Sequence, residues 1–193
     1  LDEGGFLLVL GATSVGKSYL LLQMAYNIAT GTPFLGHEVT RAYRTGFLQA
    51  ELGEAGQRQR VDKIGRNFDP ENPPLFINTT SSLYLDDSKG LRELTSSIME
   101  HKIEVLFLDP MRCYYRGNEN DTQDIQKIYG AIQVIKDVHH VAVVMSHHIR
   151  KPGKDGIMPG QYEARGSTVI TDRPDTTILL SLPAYSSITG LVL

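Results

Sequence analysis

A glycine-rich stretch near the amino terminus, GATSVGKS, has the residues of a phosphate-binding loop. It lies between two apolar runs and fits the pattern G-x-x-x-x-G-K-[ST]. Glycines let successive backbone N–H groups converge on an anion, and the positive end of a following helix adds to the attraction. A simple glycine turn would not require the lysine and serine that follow. The pattern predicts a nucleotide site made by Gly11, Ala12, Thr13, Ser14, Val15, Gly16, Lys17, Ser18 and Tyr19.

A carboxylate at the end of a later apolar run is the expected partner of this loop. The run Val105-Leu106-Phe107-Leu108 is followed directly by Asp109, which is the Walker B pattern. Many strands end in aspartate, so this pattern is informative mainly because a phosphate loop precedes it. We expect Ser18 and Asp109 to hold Mg²⁺, the aspartate through water. Lys17 is expected to reach the β- and γ-phosphates.

Hydrolysis also needs a group that orients water, and Asp109 has no glutamate beside it because Pro110 follows. The candidate is Glu51, which ends the segment Phe47-Leu48-Gln49-Ala50-Glu51. If that strand neighbours the Walker B strand, the carboxylate points at the γ-phosphate and can aim a water for in-line attack. The alternative is a surface position that caps the helix beginning near Glu54.

Two consecutive histidines follow a third apolar run, Val141–Met145 and Ser146. A polar side chain at the end of that strand can donate to the γ-phosphate and respond to its loss. Neighbouring residues of a strand point to opposite faces, so only one histidine can face the nucleotide. We select His147 over His148. A metal site is not favoured, because no other ligands cluster at suitable spacing.

These residues sit in a pattern that alternates apolar runs with helical periods. Strands are predicted at residues 6–10, 45–50, 75–78, 103–108, 141–145, 176–182 and 188–193, and helices at residues 18–30, 54–68, 88–101 and 121–139. Strand–helix alternation predicts an α/β fold with a mostly parallel central sheet and helices on both faces. Ligands then bind beyond the carboxyl ends of the strands.

Composition limits the remaining possibilities. The chain has 193 residues, enough for a single domain over residues 1–193 and short for two. The net charge of −3 gives no global basic field, so any nucleic-acid site must be local. The lone Cys113 excludes an internal disulfide and favours a reducing compartment, the cytoplasm. No apolar run is long enough to span a bilayer. The chain begins at Leu1, and we expect a fragment of a longer protein.

Taken together, the stretches resemble the RecA-like ATPases, and within them the AAA_25 or RepA-type group related to hexameric replicative helicases. The matching stretches are GATSVGKS, TGTPFLG, FLQAE, FLDPMR, GNENDTQDIQ, MSHHIRK and ARGSTVITDRPDTTILL. The resemblance implies ATP and Mg²⁺ as ligands and a ring or filament of identical subunits. It also implies that Glu51 activates water and that the residue ending the histidine strand senses phosphate.

Relatives of this type thread nucleic acid through a ring lined by two loops, which correspond here to residues 111–121 and 149–165. The resemblance therefore suggests contacts to single-stranded DNA, and basic and aromatic residues interleave in the first loop, which suits phosphate contacts together with base stacking. The candidates are Arg112, Tyr115, Arg116, Arg150, Lys151, Lys154 and Arg165. The alternative is that both loops are solvated surfaces around the ATP site.

One feature departs from the helicase pattern. Relatives carry a basic residue near the end of a late strand that reaches the neighbouring subunit's site, and residues 182–193 contain no lysine or arginine. Either the trans-acting group is elsewhere, with Arg150, Lys151 and Arg173 as candidates, or it lies beyond the fragment. Three functions stay open. The first is a DNA-dependent motor, such as a helicase or a recombination ATPase, and the second is a regulatory ATPase of the KaiC type that acts on a protein. The third is a nucleotide-binding assembly module with negligible turnover.

Overall fold

The computed structural model describes residues 2–68, 73–79, 82–149 and 168–181, apart from the side chains of residues 168 and 169. The strands are β1 Phe6–Gly11, β2 Thr45–Gln49, β3 Leu75–Asn78, β4 Val105–Asp109, β5 Ala142–His148 and β6 Thr176–Leu180. The helices are α1 Lys17–Thr30, α2 Glu54–Gly65, α3 Ser88–His101 and α4 Thr122–His139. Short 3-10 helices cover Met111–Tyr114 and Thr168–Thr171.

The six strands form one sheet in the order β3-β2-β4-β5-β1-β6, and every pairing is parallel. Helices α1 and α2 pack on one face, in a core with Val9 and Phe107. Helices α3 and α4 pack on the other face, in a core with Leu8 and Met145. The predicted parallel sheet with helices on both faces is therefore confirmed. Because all strands run the same way, β1, β2, β4 and β5 end at one edge.

Helix boundaries follow the capping chemistry of the chain. Helix α4 begins one residue later than predicted because Asp121 is its cap, and its carboxylate accepts hydrogen bonds from the backbone N–H groups of Gln123 and Asp124. Asp87 caps α3 in the same way through the N–H of Gly90. Helix α2 ends at Gly65, three residues before the predicted end at Phe68.

Strand β5 is the element whose length matters most for the site. The prediction ended it at Met145, where the apolar residues stop, but pairing with β1 continues through Ser146, His147 and His148. Ladder hydrogen bonds use backbone groups, so polar side chains do not end a strand. Strand β4 is shifted likewise and includes Asp109, whereas β6 ends at Leu180. The strand predicted at residues 188–193 lies outside the described residues.

Candidate nucleotide site

The phosphate loop connects the end of β1 to the start of α1. Ser14 has φ of 64° and Gly16 has φ of 100°, both in the left-handed region that glycine adopts at little cost. A side chain at Gly11 would lie 2.7 Å from the carbonyl oxygen of Leu180, so the first glycine is required where β6 approaches. Thr13 and Ser14 are exposed at the loop tip, and Ser18 is half-buried in the first turn of α1.

Lys17 lies at the centre of the site. Its Nζ donates to the carbonyl oxygens of Gly11 and Ala12, each at 2.8 Å, and lies 3.1 Å from Nδ1 of His148. Burial lowers the pKa of this lysine, and the negative charges of Asp109 and Glu51 oppose that change. The structure thus brings Lys17 close to the two carboxylates that the sequence predicted for the site.

Asp109 is almost fully buried at the end of β4, and its Oδ1 accepts a 2.5 Å hydrogen bond from the Ser146 hydroxyl. Among the described residues, its Oδ2 has no hydrogen-bonding partner. A buried carboxylate oxygen of this kind needs a cation or a water, which fits a magnesium ion held with Ser18. The described residues contain no cluster of three or more His, Cys, Asp or Glu that could hold a metal ion alone.

The role predicted for Glu51 requires that its strand neighbours the Walker B strand, and the structure meets this condition. Strand β2 lies directly beside β4, with Gln49 in register with Asp109. Two residues after Gln49, the half-exposed carboxylate of Glu51 lies 3.8 Å from Nε2 of His148. The carboxylate therefore stands at the same edge of the sheet as the phosphate loop.

The structure places the two consecutive histidines on opposite faces of the sheet. Strand alternation places Ser146 and His148 on the α1 face, while His147 continues the row of Val143 and Met145 toward α3 and α4. His147 is buried on that far face. His148 instead contacts both Lys17 and Glu51, so it is the histidine that the structure brings to the loop. The sequence indicated that only one of the two histidines could face the nucleotide. It did not indicate which of them points to that face of the sheet.

The protonation of His148 follows from its neighbours. Burial lowers its pKa and so does the charge of Lys17, whereas Glu51 and Asp109 act in the opposite direction. The ring is therefore neutral near pH 7. A lysine ammonium group can only donate, so Nδ1 accepts from Lys17 and the ring proton lies on Nε2, facing Glu51.

Two further side chains, Cys113 and Tyr19, lie near the site. Cys113 is half-buried, and its pKa is raised by burial and by the charges of Glu51 and Asp109, which disfavours the thiolate. Tyr19, included in the predicted nucleotide site, is 44% exposed on the first turn of α1. Its ring lies 4.8 Å from the guanidinium carbon of Arg60 on α2.

The predicted nucleic-acid residues divide into three groups. Tyr115 was expected to stack on bases, but it is 1% exposed and packs in the core, where burial raises its pKa to about 12. A ring without free surface cannot stack on a base, so in this structure Tyr115 is not available for the predicted contact. Arg150, Lys151, Lys154 and Arg165 lie outside the described residues.

Arg112 and Arg116 are exposed, and both are held by neighbouring groups. Arg112 donates to the carbonyl oxygen of Tyr115 at 2.9 Å. Arg116 forms an ion pair with Asp87 and lies over the Tyr84 ring. The structure therefore leaves two cations on this surface as candidates for phosphate contacts.

The all-parallel sheet and the phosphate loop at its edge define a RecA-like P-loop ATPase fold. The sequence matches the AAA_25 family, described as an AAA domain, over residues 1–154, and the chain belongs to that family. Its structure is similar to that of a KaiC-like protein from the hyperthermophilic archaeon Pyrococcus horikoshii OT3. The TM-score is 0.53 at 17% identity, covering 86% of this chain and 71% of the other. At this identity the likeness shows the fold alone. No curated protein sequence matches the chain.

Within the described part of the chain, no helix is long and apolar enough to cross a membrane.

Proposed function

We propose that the chain binds and hydrolyses ATP, and that single-stranded DNA is the partner coupled to hydrolysis. The observation that supports hydrolysis best is the position of His148, which lies 3.1 Å from Lys17 Nζ and 3.8 Å from the Glu51 carboxylate. This ring brings the phosphate-binding lysine and the proposed base together at one edge of the sheet. A loop that only bound nucleotide would not need a carboxylate there.

The proposed roles follow from the chemistry of each group. The backbone N–H groups of the loop and Lys17 bind the β- and γ-phosphates. Ser18 and Asp109 hold Mg²⁺, which when bound neutralises charge on the phosphate oxygens. Glu51 orients a water and accepts its proton as the water oxygen attacks the γ-phosphorus and the bond to the bridging oxygen of ADP breaks. His148 replaces His147 as the proposed phosphate sensor, since its Nε2–H lies on the Glu51 side.

The DNA partner is supported by the family and by the exposed cations Arg112 and Arg116. A ring or filament of identical subunits is part of the same proposal, with Arg173 as a described candidate for the trans-acting group, because it is exposed just before β6. The burial of Tyr115 removes the aromatic part of the first loop, so the proposed contact there is to phosphates. Phosphate contacts make binding depend steeply on salt.

A regulatory ATPase that acts on a protein partner is the second candidate. The observation that favours it is the engagement of Arg116 with Asp87 and Tyr84, which makes that arginine part of a folded surface. In this case the same nucleotide chemistry would alter a protein-binding surface, and DNA would have no effect on turnover.

One assay separates the two functions. ATP hydrolysis by the full-length protein is measured while single-stranded DNA is titrated at low and at high salt, and mass in solution is measured in parallel. A motor is stimulated at low salt and loses the stimulation steeply as salt increases. Turnover that is unchanged over the whole DNA range at low salt favours the regulatory function. Lys17→Ala, which removes the ammonium group, is the control and should abolish hydrolysis in every condition.

A further inference from the structure

A buried glutamine adjoins the proposed base. Gln49 is the last residue of β2, is 1% exposed, and stands in register with Asp109. Its Oε1 accepts a 2.9 Å hydrogen bond from the backbone N–H of Leu52. Burying an amide is costly unless it is hydrogen-bonded, so this contact offsets a substantial part of the free-energy cost of burying the Gln49 side chain.

The hydrogen bond closes a four-residue bend whose third residue is Glu51. At the other end of the bend, the backbone N–H of Ala50 donates to the carbonyl oxygen of Asp109 at 3.3 Å. The backbone on both sides of Glu51 is thus fixed, once to the Walker B strand and once to Gln49. Glu51 itself is half exposed, so the bend, rather than packing of its side chain, determines where its carboxylate stands.

We propose that Gln49 is a positioning residue that holds Glu51 toward the phosphate loop. This rests on the proposed role of Glu51 in hydrolysis. A carboxylate that aims a water must be held within a fraction of an ångström, and a displacement of about 1 Å can cost roughly 100-fold in rate. Gln49 acts through the backbone of Leu52 and does not need to contact the nucleotide.

Substitution of Gln49 tests the hydrogen bond to Leu52 directly. Among the described residues its Nε2 has no hydrogen-bonding partner, so replacing the amide removes only the contact to Leu52. Gln49→Met keeps the length of the side chain and removes the acceptor. Gln49→Asn keeps the amide but is one methylene shorter and does not reach Leu52.

A matched control exists in the same region. Gln57 on α2 is also buried, at 2% exposure, and neither of its side-chain polar atoms has a partner among the described residues. Gln57→Met therefore makes the same chemical change at similar burial without touching the bend. It should leave turnover as in the wild type.

The experiment measures kcat, KM and ADP affinity for these variants, for Glu51→Gln and for the double variant Gln49→Met/Glu51→Gln. We expect kcat to fall at least about tenfold in Gln49→Met and Gln49→Asn, with ADP affinity unchanged. The double variant should be no slower than Glu51→Gln, because Gln49 acts only through Glu51.

Wild-type kcat in both Gln49→Met and Gln49→Asn would overturn the proposal, as would an additive loss in the double variant. A merely structural role would instead lower ADP affinity together with kcat. If Glu51→Gln hydrolyses ATP normally, the proposed hydrolytic mechanism itself fails. If Glu51→Gln is inactive while both Gln49 variants are active, only the role of Gln49 fails.

Discussion

Burial and the neighbouring charged groups set the protonation state of His148. Its pKa lies below its ordinary value because of burial and the adjacent Lys17, so the folded protein disfavours the protonated ring. The unfolded chain takes up that proton near pH 6.5. The stability contributed by the neutral ring is therefore present above about pH 6.5 and is lost as the pH falls toward the folded-state pKa. Glu51 and Asp109 partly counteract this change.

Replacing this histidine should make stability less sensitive to acid. We expect the unfolding free energy of His148→Gln to fall less than that of wild type between pH 7.5 and pH 5.5, because the variant has no imidazole to protonate at that position. Urea unfolding at several pH values measures the difference. His37→Gln, a change at an exposed histidine, is the control. Identical pH profiles for wild type and His148→Gln would contradict the account of this ring.

The residues of the site could be predicted to different degrees. Glycine, lysine and serine at fixed spacing identify the loop because the chemistry of phosphate binding demands them in that order. The histidine that faces the loop could not be predicted, since His147 and His148 are identical in type and the sequence does not show which face of β5 each one takes. Gln49 gave no signal, because its role depends on a backbone group three residues away.

Helices and strands were predictable from the spacing of apolar residues along the chain. The bounds of β3 and α3 agree with the prediction, whereas β5 runs three residues past its apolar segment. The burial of Tyr115 in the loop at residues 111–121 could not be predicted, because interleaved arginines and tyrosines suggest an open surface. In the structure, Tyr115 faces inward with Ile125 and Ile128 of α4.

Two glycines in helices should respond oppositely to the same substitution. Gly130 lies in the middle of α4 with no atom within 4 Å of an added methyl group, whereas a methyl group at Gly90 would lie 1.8 Å from the carbonyl oxygen of Tyr84. We expect Gly130→Ala to raise the unfolding free energy by about 0.5–1 kcal/mol, since alanine is the better helix former.

Gly90→Ala should lower the unfolding free energy by about 1–3 kcal/mol, because the backbone at Tyr84 must move. Denaturant unfolding of both variants tests the pair. Equal effects of the two substitutions would show that the contact between α3 and residue 84 is not as close as described.

The whole domain should be stabilised by its ligand. A nucleotide that binds only the folded chain adds about 2.7 kcal/mol at a concentration one hundred times its Kd. We therefore expect a slowly hydrolysed ATP analogue with Mg²⁺ to raise the melting temperature of wild type, and chelation of the metal to reduce that increase. Lys17→Ala should show little or no increase. Similar increases in Lys17→Ala and wild type would place the nucleotide elsewhere.

The arrangement of the sheet explains why the groups of this site meet. Strands β1, β2, β4 and β5 are distant in sequence but parallel and adjacent, so the loop, Glu51, Asp109 and His148 all come from carboxyl ends at one edge. The alternation of strands and helices predicted that edge, but the order of strands comes only from the structure. The position of β2 beside β4 is the part of that order on which the proposed role of Glu51 depends.

The most direct measurement compares ATP binding and ATP hydrolysis in wild type and Glu51→Gln. The substitution keeps the size of the side chain and removes its ability to take a proton from water. We expect turnover to fall at least about tenfold, while ATP affinity changes less than about twofold, since the phosphate loop and Lys17 are untouched. Wild-type turnover in Glu51→Gln, with the same affinity, would contradict the role assigned to this carboxylate.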